Sequence, residues 1–92
     1  MDFFEEIKIC EDAINKYGEH HQKVIAMEEM SELTKELCKE FRGENNLCRI
    51  TEEMADVEIM LLQLKEMYHN AVAVEEMRDI KMQRLKKRLQ EK

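Results

Sequence analysis

Apolar residues recur at helical spacing along four stretches of the chain. The first stripe is Phe3, Phe4, Ile7, Cys10, Ala13, Ile14 and Tyr17, which predicts a helix from Phe3 to Tyr17. Asp2 is placed to cap it, Glu5 and Glu6 favour its N-terminal dipole, and Gly18 ends it. A second stripe, Ile25, Ala26, Met30, Leu33, Leu37 and Phe41, predicts a helix from Glu19 or His20 to Phe41 or Arg42, with Gly43 as its stop. Residues 43–50 then read as a loop, with Leu47 and Ile50 anchoring it to the body. Thr51 is a favourable cap for a third helix, because Glu52 and Glu53 fall in the first turn behind it. That helix runs to about His69, Asn70 marks a break, and a fourth helix covers roughly Val72 to Leu89. The pattern predicts an all-α fold, a four-helix bundle in one domain spanning residues 1–92.

Composition agrees with helices joined by short turns. The 92 residues include no Pro and only 2 Gly, and 39% are charged. Aromatics are 5%, which leaves little material for stacking nucleic-acid bases. Net charge is −6, unevenly spread. Residues 1–77 hold 8 basic and 19 acidic side chains, a balance of −11, whereas residues 78–92 hold 7 and 2, a balance of +5. An acidic body excludes a nucleic-acid polymer as the general partner. A basic last helix suits a chain that binds metal and polyanion together, and equally suits a solvated face that complements the helix dipole. Cys10, Cys38 and Cys48 have no metal-type spacing and read as reduced thiols. The longest apolar run, Ile59 to Leu62, is four residues, and the first residues show no signal pattern. A cytoplasmic protein with no membrane partner is expected.

Against this background two acidic motifs stand out, Glu28-Glu29-Met30-Ser31-Glu32 and Glu53-Met54-Ala55-Asp56. At 100° per residue, Glu29 lies about 40° from both Ile25 and Leu33, inside the apolar stripe, and Glu32 lies about 60° off, at its margin. On the third helix Glu53 lies within about 40° of Val57 and Leu64, and Asp56 about 60° away. Glu28 points about 100° from Glu29 and reads as a surface residue. Carboxylates turned inward on two helices repel unless a cation neutralises them. Mg²⁺ takes oxygen ligands and keeps waters for substrate phosphates, so a magnesium site is the expected use.

The two motifs, with Gln22 ahead of the first and Val57-Glu58-Ile59-Met60-Leu61-Leu62-Gln63-Leu64 continuing the second, resemble the EExxE…ExxD signature of the MazG-like all-α nucleotide pyrophosphohydrolases. The resemblance covers about residues 14–88. It implies hydrolysis of a nucleoside or deoxynucleoside triphosphate to the monophosphate and pyrophosphate, by attack of metal-bound water on the α-phosphorus. It implies Mg²⁺ as cofactor, with Mn²⁺ a substitute, held by Glu29, Glu32, Glu53 and Asp56. One of these carboxylates would also orient the water. Better-known relatives place Trp around the base, and this chain has none. Phe3, Phe4, Tyr17, His20, His21, Phe41 and Tyr68 are the candidates for base stacking.

The fourth helix adds two candidate substrate-binding residues. Lys81 falls in its apolar stripe, within about 40° of Val74, Met77 and Leu85, and Arg84 lies about 60° further round. Either reaches a triphosphate if that stripe faces the acids; the competing reading is a lysine that extends past a thin core edge into water. Lys86, Lys87 and Lys92 read as solvated. Glu66-Met67-Tyr68-His69 is a single ExxH on another face and has no second copy to make a di-iron site. His20 and His21 are adjacent, so a helix does not aim both at one metal. The eight Met read mostly as core filler.

Residues 55–64 are apolar nearly all round, with Ile59 and Leu62 about 120° and 180° from Glu53. A helix apolar on several sides is buried on several sides. A homo-oligomer with the third helix central is therefore expected, a tetramer built as a dimer of dimers or a dimer. Two other readings stay open: a non-catalytic helical interaction module, and a regulatory nucleotide binder that hydrolyses slowly.

Overall fold

A computed structural model describes residues 1–91; Lys92, expected to be solvated, lies outside them. The described residues form four helices and no strand: α1 (Phe3–Tyr17), α2 (Glu19–Phe41), α3 (Leu47–Tyr68) and α4 (Ala71–Gln90).

The ends of α1 follow from its local chemistry. The Glu5 backbone N–H donates to Asp2 Oδ1 at 2.8 Å, which satisfies one of the free donors of the first turn. Gly18 has φ +92°, in the region L side chains avoid, and its N–H closes on the Ile14 carbonyl at 2.8 Å. The chain turns there and enters α2 one residue later.

The third helix starts earlier than the sequence pattern predicts. Residues 47–50, expected as loop, are its first turn, and Thr51 sits inside the helix with its hydroxyl on the Leu47 carbonyl at 2.8 Å. Asn46 makes the difference. Its side chain is buried, and its Nδ2 donates to the Glu36 carbonyl and to Glu36 Oε1, both at 2.9 Å. This ties the start of α3 to the last turns of α2 and buries Ile50. At the other end His69 takes φ +51°, and Asn70 then breaks the chain before α4.

Helices α1, α2 and α3 pack against one another, with the α2–α3 pair the most extensive contact. Helix α4 approaches α3 alone, and every one of its residues is exposed. The packed body is therefore three helices, and the expected four-helix bundle is not closed within one chain. The radius of gyration records this: 16.2 Å, against about 12 Å for a compact chain of this length. The core is correspondingly thin. Its buried apolar members are Cys10, Ala26, Ile50 and Met60, and no large side chain among the described residues is fully enclosed.

Candidate metal centre

The seam between α2 and α3 carries a polar residue every seventh position of α2: Gln22, Glu29 and Glu36. A seven-residue step returns a helix to almost the same face, so all three meet α3. At one end Gln22 Nε2 donates to Gln63 Oε1 at 2.9 Å, with both residues buried. At the other end Glu36 accepts from Asn46 and, at 3.1 Å, from Lys39 Nζ. These contacts hold Glu36 below the usual carboxylate range, the Asn46 hydrogen bond contributing most. Both end layers are paired across the seam.

The middle layer is different. Glu29 from α2 meets Glu53 and Asp56 from α3, with one carboxylate oxygen from each within 4.8 Å of the others. Glu29 and Glu53 are half-buried and Asp56 is exposed. No cation balances them: the ion pairs among the described residues are Lys8–Asp12, Lys39–Glu36 and Arg78–Glu75. Glu53 Oε2 is shielded from solvent and has no hydrogen-bond partner. Glu29 is pushed up to about 7, first by burial, then by the hydrogen bond it shares with Glu53 and by the charge of Asp56. Without a cation this layer holds a proton near neutrality.

The donors are all carboxylate oxygens, the set preferred by hard divalent cations such as Mg²⁺ or Mn²⁺. An orphaned oxygen and a carboxyl that keeps its proton are what such a cation would relieve, so the residues present fit the group. Glu29, Glu53 and Asp56 could hold it.

The structure thus brings together three of the four carboxylates singled out by the sequence. Glu32 is exposed and stands outside the 4.8 Å set; it is three residues on from Glu29, at the solvent margin of α2. Glu28 is exposed, as its helical position predicts. Lys81 and Arg84 lie on the exposed α4, and neither pairs with a carboxylate of the seam. Of the aromatic candidates, Tyr17 stacks on His21 with ring centroids 5.6 Å apart, and His21 Nδ1 is 2.8 Å from Gln22 Oε1. This places a ring pair one polar layer above the carboxylates. Phe41 is 92% exposed.

Sequence reasoning missed the two flanking layers. Their signal was present in the seven-residue spacing of Gln22, Glu29 and Glu36, but Glu36 reads as one more surface acid until Asn46 is seen beside it. No family model, no curated protein and no solved structure matches the chain.

Proposed function

We propose that this chain is a Mg²⁺-dependent nucleoside triphosphate pyrophosphohydrolase of the MazG-like type, releasing a monophosphate and pyrophosphate in the cytoplasm. One observation carries the reading. Three carboxylates from two helices converge with no counter-ion, one of their oxygens is buried without a partner, and paired layers on both sides hold them in place. Such a layer is costly to keep without a partner, and a bound cation would relieve that cost.

Glu29, Glu53 and Asp56 would hold the cation, with Glu32 on the solvent side of the same centre. A divalent cation held there supplies charge neutralisation for a polyphosphate and Lewis acidity for hydrolysis. The protein's own contribution is positional. The Gln22–Gln63 and Glu36–Asn46 contacts fix the α2–α3 register, so Glu29 faces Glu53 and Asp56 before any ligand arrives. The Tyr17–His21 pair is the nearest platform for a base. Lys81 and Arg84 take part only if α4 is carried over the site, which one chain alone does not do.

A second reading is favoured by the exposure of the whole of α4: a non-catalytic helical interaction module whose basic helix docks elsewhere. A panel of NTPs and dNTPs with Mg²⁺, assayed for monophosphate and pyrophosphate, separates the two. The pyrophosphohydrolase turns over at least one nucleotide and loses this with Glu53→Gln. Absence of both turnover and Mg²⁺-dependent nucleotide binding overturns the proposal in favour of the module.

A further inference from the structure

We propose that His21 selects the base: it favours nucleotides whose base carries an exocyclic amine, cytosine and adenine, over those with a carbonyl in its place, uracil, thymine and guanine. This rests on the pyrophosphohydrolase reading and adds to it a residue that determines specificity.

The buried amide pair gives a hydrogen-bond chain its direction. Gln22 Nε2 donates to Gln63 Oε1 at 2.9 Å, and both side chains are buried. The donor end of the Gln22 amide is thereby committed across the seam, and its Oε1 is turned to His21 Nδ1, 2.8 Å away. An amide oxygen only accepts. The proton of a neutral His21 ring must then sit on Nδ1, which leaves Nε2 with a lone pair and no hydrogen. His21 is exposed, so that lone pair is open to a ligand.

The ring also stands in the right place. His21 lies about 100° round α2 from Gln22, in the same sense in which Glu32 lies about 60° round from Glu29. It is therefore on the side of the seam where the carboxylate layer meets solvent. Eight residues separate His21 from Glu29, about 12 Å along the helix. Tyr17, at the end of α1, holds the imidazole there, with ring centroids 5.6 Å apart and planes inclined by 31°. Tyr17 is itself 53% exposed, which leaves ring surface for a base. The opposite side of the seam is filled differently. Lys23, about 100° round from Gln22 in the other sense, has its Nζ over the Tyr68 ring at 4.7 Å, so that ring face is taken.

A nucleotide with its phosphates at the carboxylate layer points the far edge of its base along α2 toward His21. The group farthest from the sugar is the substituent at C4 of a pyrimidine or C6 of a purine. It is an amine in cytosine and adenine and a carbonyl oxygen in uracil, thymine and guanine. The amine donates to Nε2. A carbonyl oxygen in the same place sets lone pair against lone pair and leaves both unsatisfied.

The test uses the full chain with Mg²⁺ and the non-hydrolysable α,β-imido analogues of dCTP, dUTP, dATP and dGTP, titrated calorimetrically. Comparing within pyrimidines and within purines keeps the stacking area nearly constant. The cytosine analogue over the uracil one, and the adenine over the guanine, should each bind about tenfold tighter, the worth of one accessible hydrogen bond. His21→Phe keeps a flat ring without an acceptor and should reduce both ratios to within about twofold. His21→Arg keeps a stacking plane and offers only donors, so it should reverse both orders. Gln22→Leu with Gln63→Leu frees the imidazole to take either tautomer and should weaken the preference with Mn²⁺ binding unchanged. Nitrogen NMR of the neutral imidazole should find its proton on Nδ1. The proposal is overturned by a proton on Nε2, by tighter binding of the uracil or guanine analogue to the wild type, or by a preference that His21→Arg leaves in place. Equal binding of all four analogues overturns it too and leaves the pyrophosphohydrolase reading standing, whereas binding of none removes both.

Discussion

Gln22 donates an amide hydrogen to Gln63 across the α2–α3 seam at 2.9 Å, one heptad from Glu29. The bond is buried, so its two ends depend on each other. Gln63→Leu leaves the Gln22 amide without its partner away from water, and is expected to cost about 1–3 kcal/mol. Adding Gln22→Leu removes the orphan and should recover a good part of that loss. Urea unfolding of the two single variants and the double would show it; strictly additive losses would mean that the two amides do not act as a pair.

For the carboxylate layer the expected effects on stability and on function are opposite. Glu53→Gln removes a charge from a site with no counter-ion, so in a chelator the variant should melt at or above the wild-type temperature. Titration calorimetry with Mn²⁺ should show the strongest site lost. A variant that is less stable in chelator, or that binds metal unchanged, would contradict the assignment of Glu53.

Glu29 sets the pH dependence. Its folded-state value is about 7 against an ordinary 4.5, so between those values the folded chain holds a proton that the unfolded chain has released. Stability without metal should therefore fall as pH rises from about 4.5 to about 7 and then level off. Saturating Mg²⁺ competes with that proton, and its stabilising effect should grow over the same window. Glu29→Gln should flatten the metal-free slope. If the slope is identical in wild type and variant, the titrating group lies elsewhere.

Glu36 works in the reverse direction. Its carboxylate is held low by Asn46 and Lys39. The stabilisation is present above the ordinary carboxylate value and is lost as pH falls through the lowered one. Asn46→Ala should return Glu36 toward its ordinary titration, read by carbon-detected NMR. Amide exchange of residues 47–50 should also quicken, because the start of α3 would lose its anchor. An unmoved Glu36 would assign its shift to Lys39.

Gly18→Ala isolates a backbone effect. A Cβ there meets no atom within 4 Å, but φ is +92°. The expected loss, about 1–3 kcal/mol, is torsional alone, and thermal unfolding would measure it. A neutral result would mean that the α1–α2 turn relaxes to another conformation.

How far the fold could be read beforehand depended on where the information lies. Asp2, Glu5 and Gly18 sit next to the turns they control, so α1 and the entry to α2 were legible residue by residue. The start of α3 was not. Thr51 has the better local capping chemistry, yet Asn46 prevails through Glu36, ten residues upstream on another helix. Glu29 and Glu53 were found because their stripe positions turn them toward the seam, while Asp56 and Glu32 both sit at margins where about 60° decides between site and solvent, and only Asp56 falls on the site's side. Helix α4 was legible as a helix but not as a projection. Its apolar positions resemble a core face, and only the packing of α1, α2 and α3 shows that no fourth place is left in the single chain.

The paired layers at each end of the seam also determine where the chain can change length. Register between Glu29 and Glu53 is held by Gln22–Gln63 on one side and Glu36–Asn46 on the other. The turn at residues 42–45 has no part in it. Extra residues there cost only loop-closure entropy, which grows slowly with length. One extra residue between Gln22 and Glu36 instead rotates everything beyond it by about 100° and separates the acids from one of the two paired layers. Insertions should be tolerated at the bend and excluded from the stretch of α2 from Gln22 to Glu36 that spans the three layers.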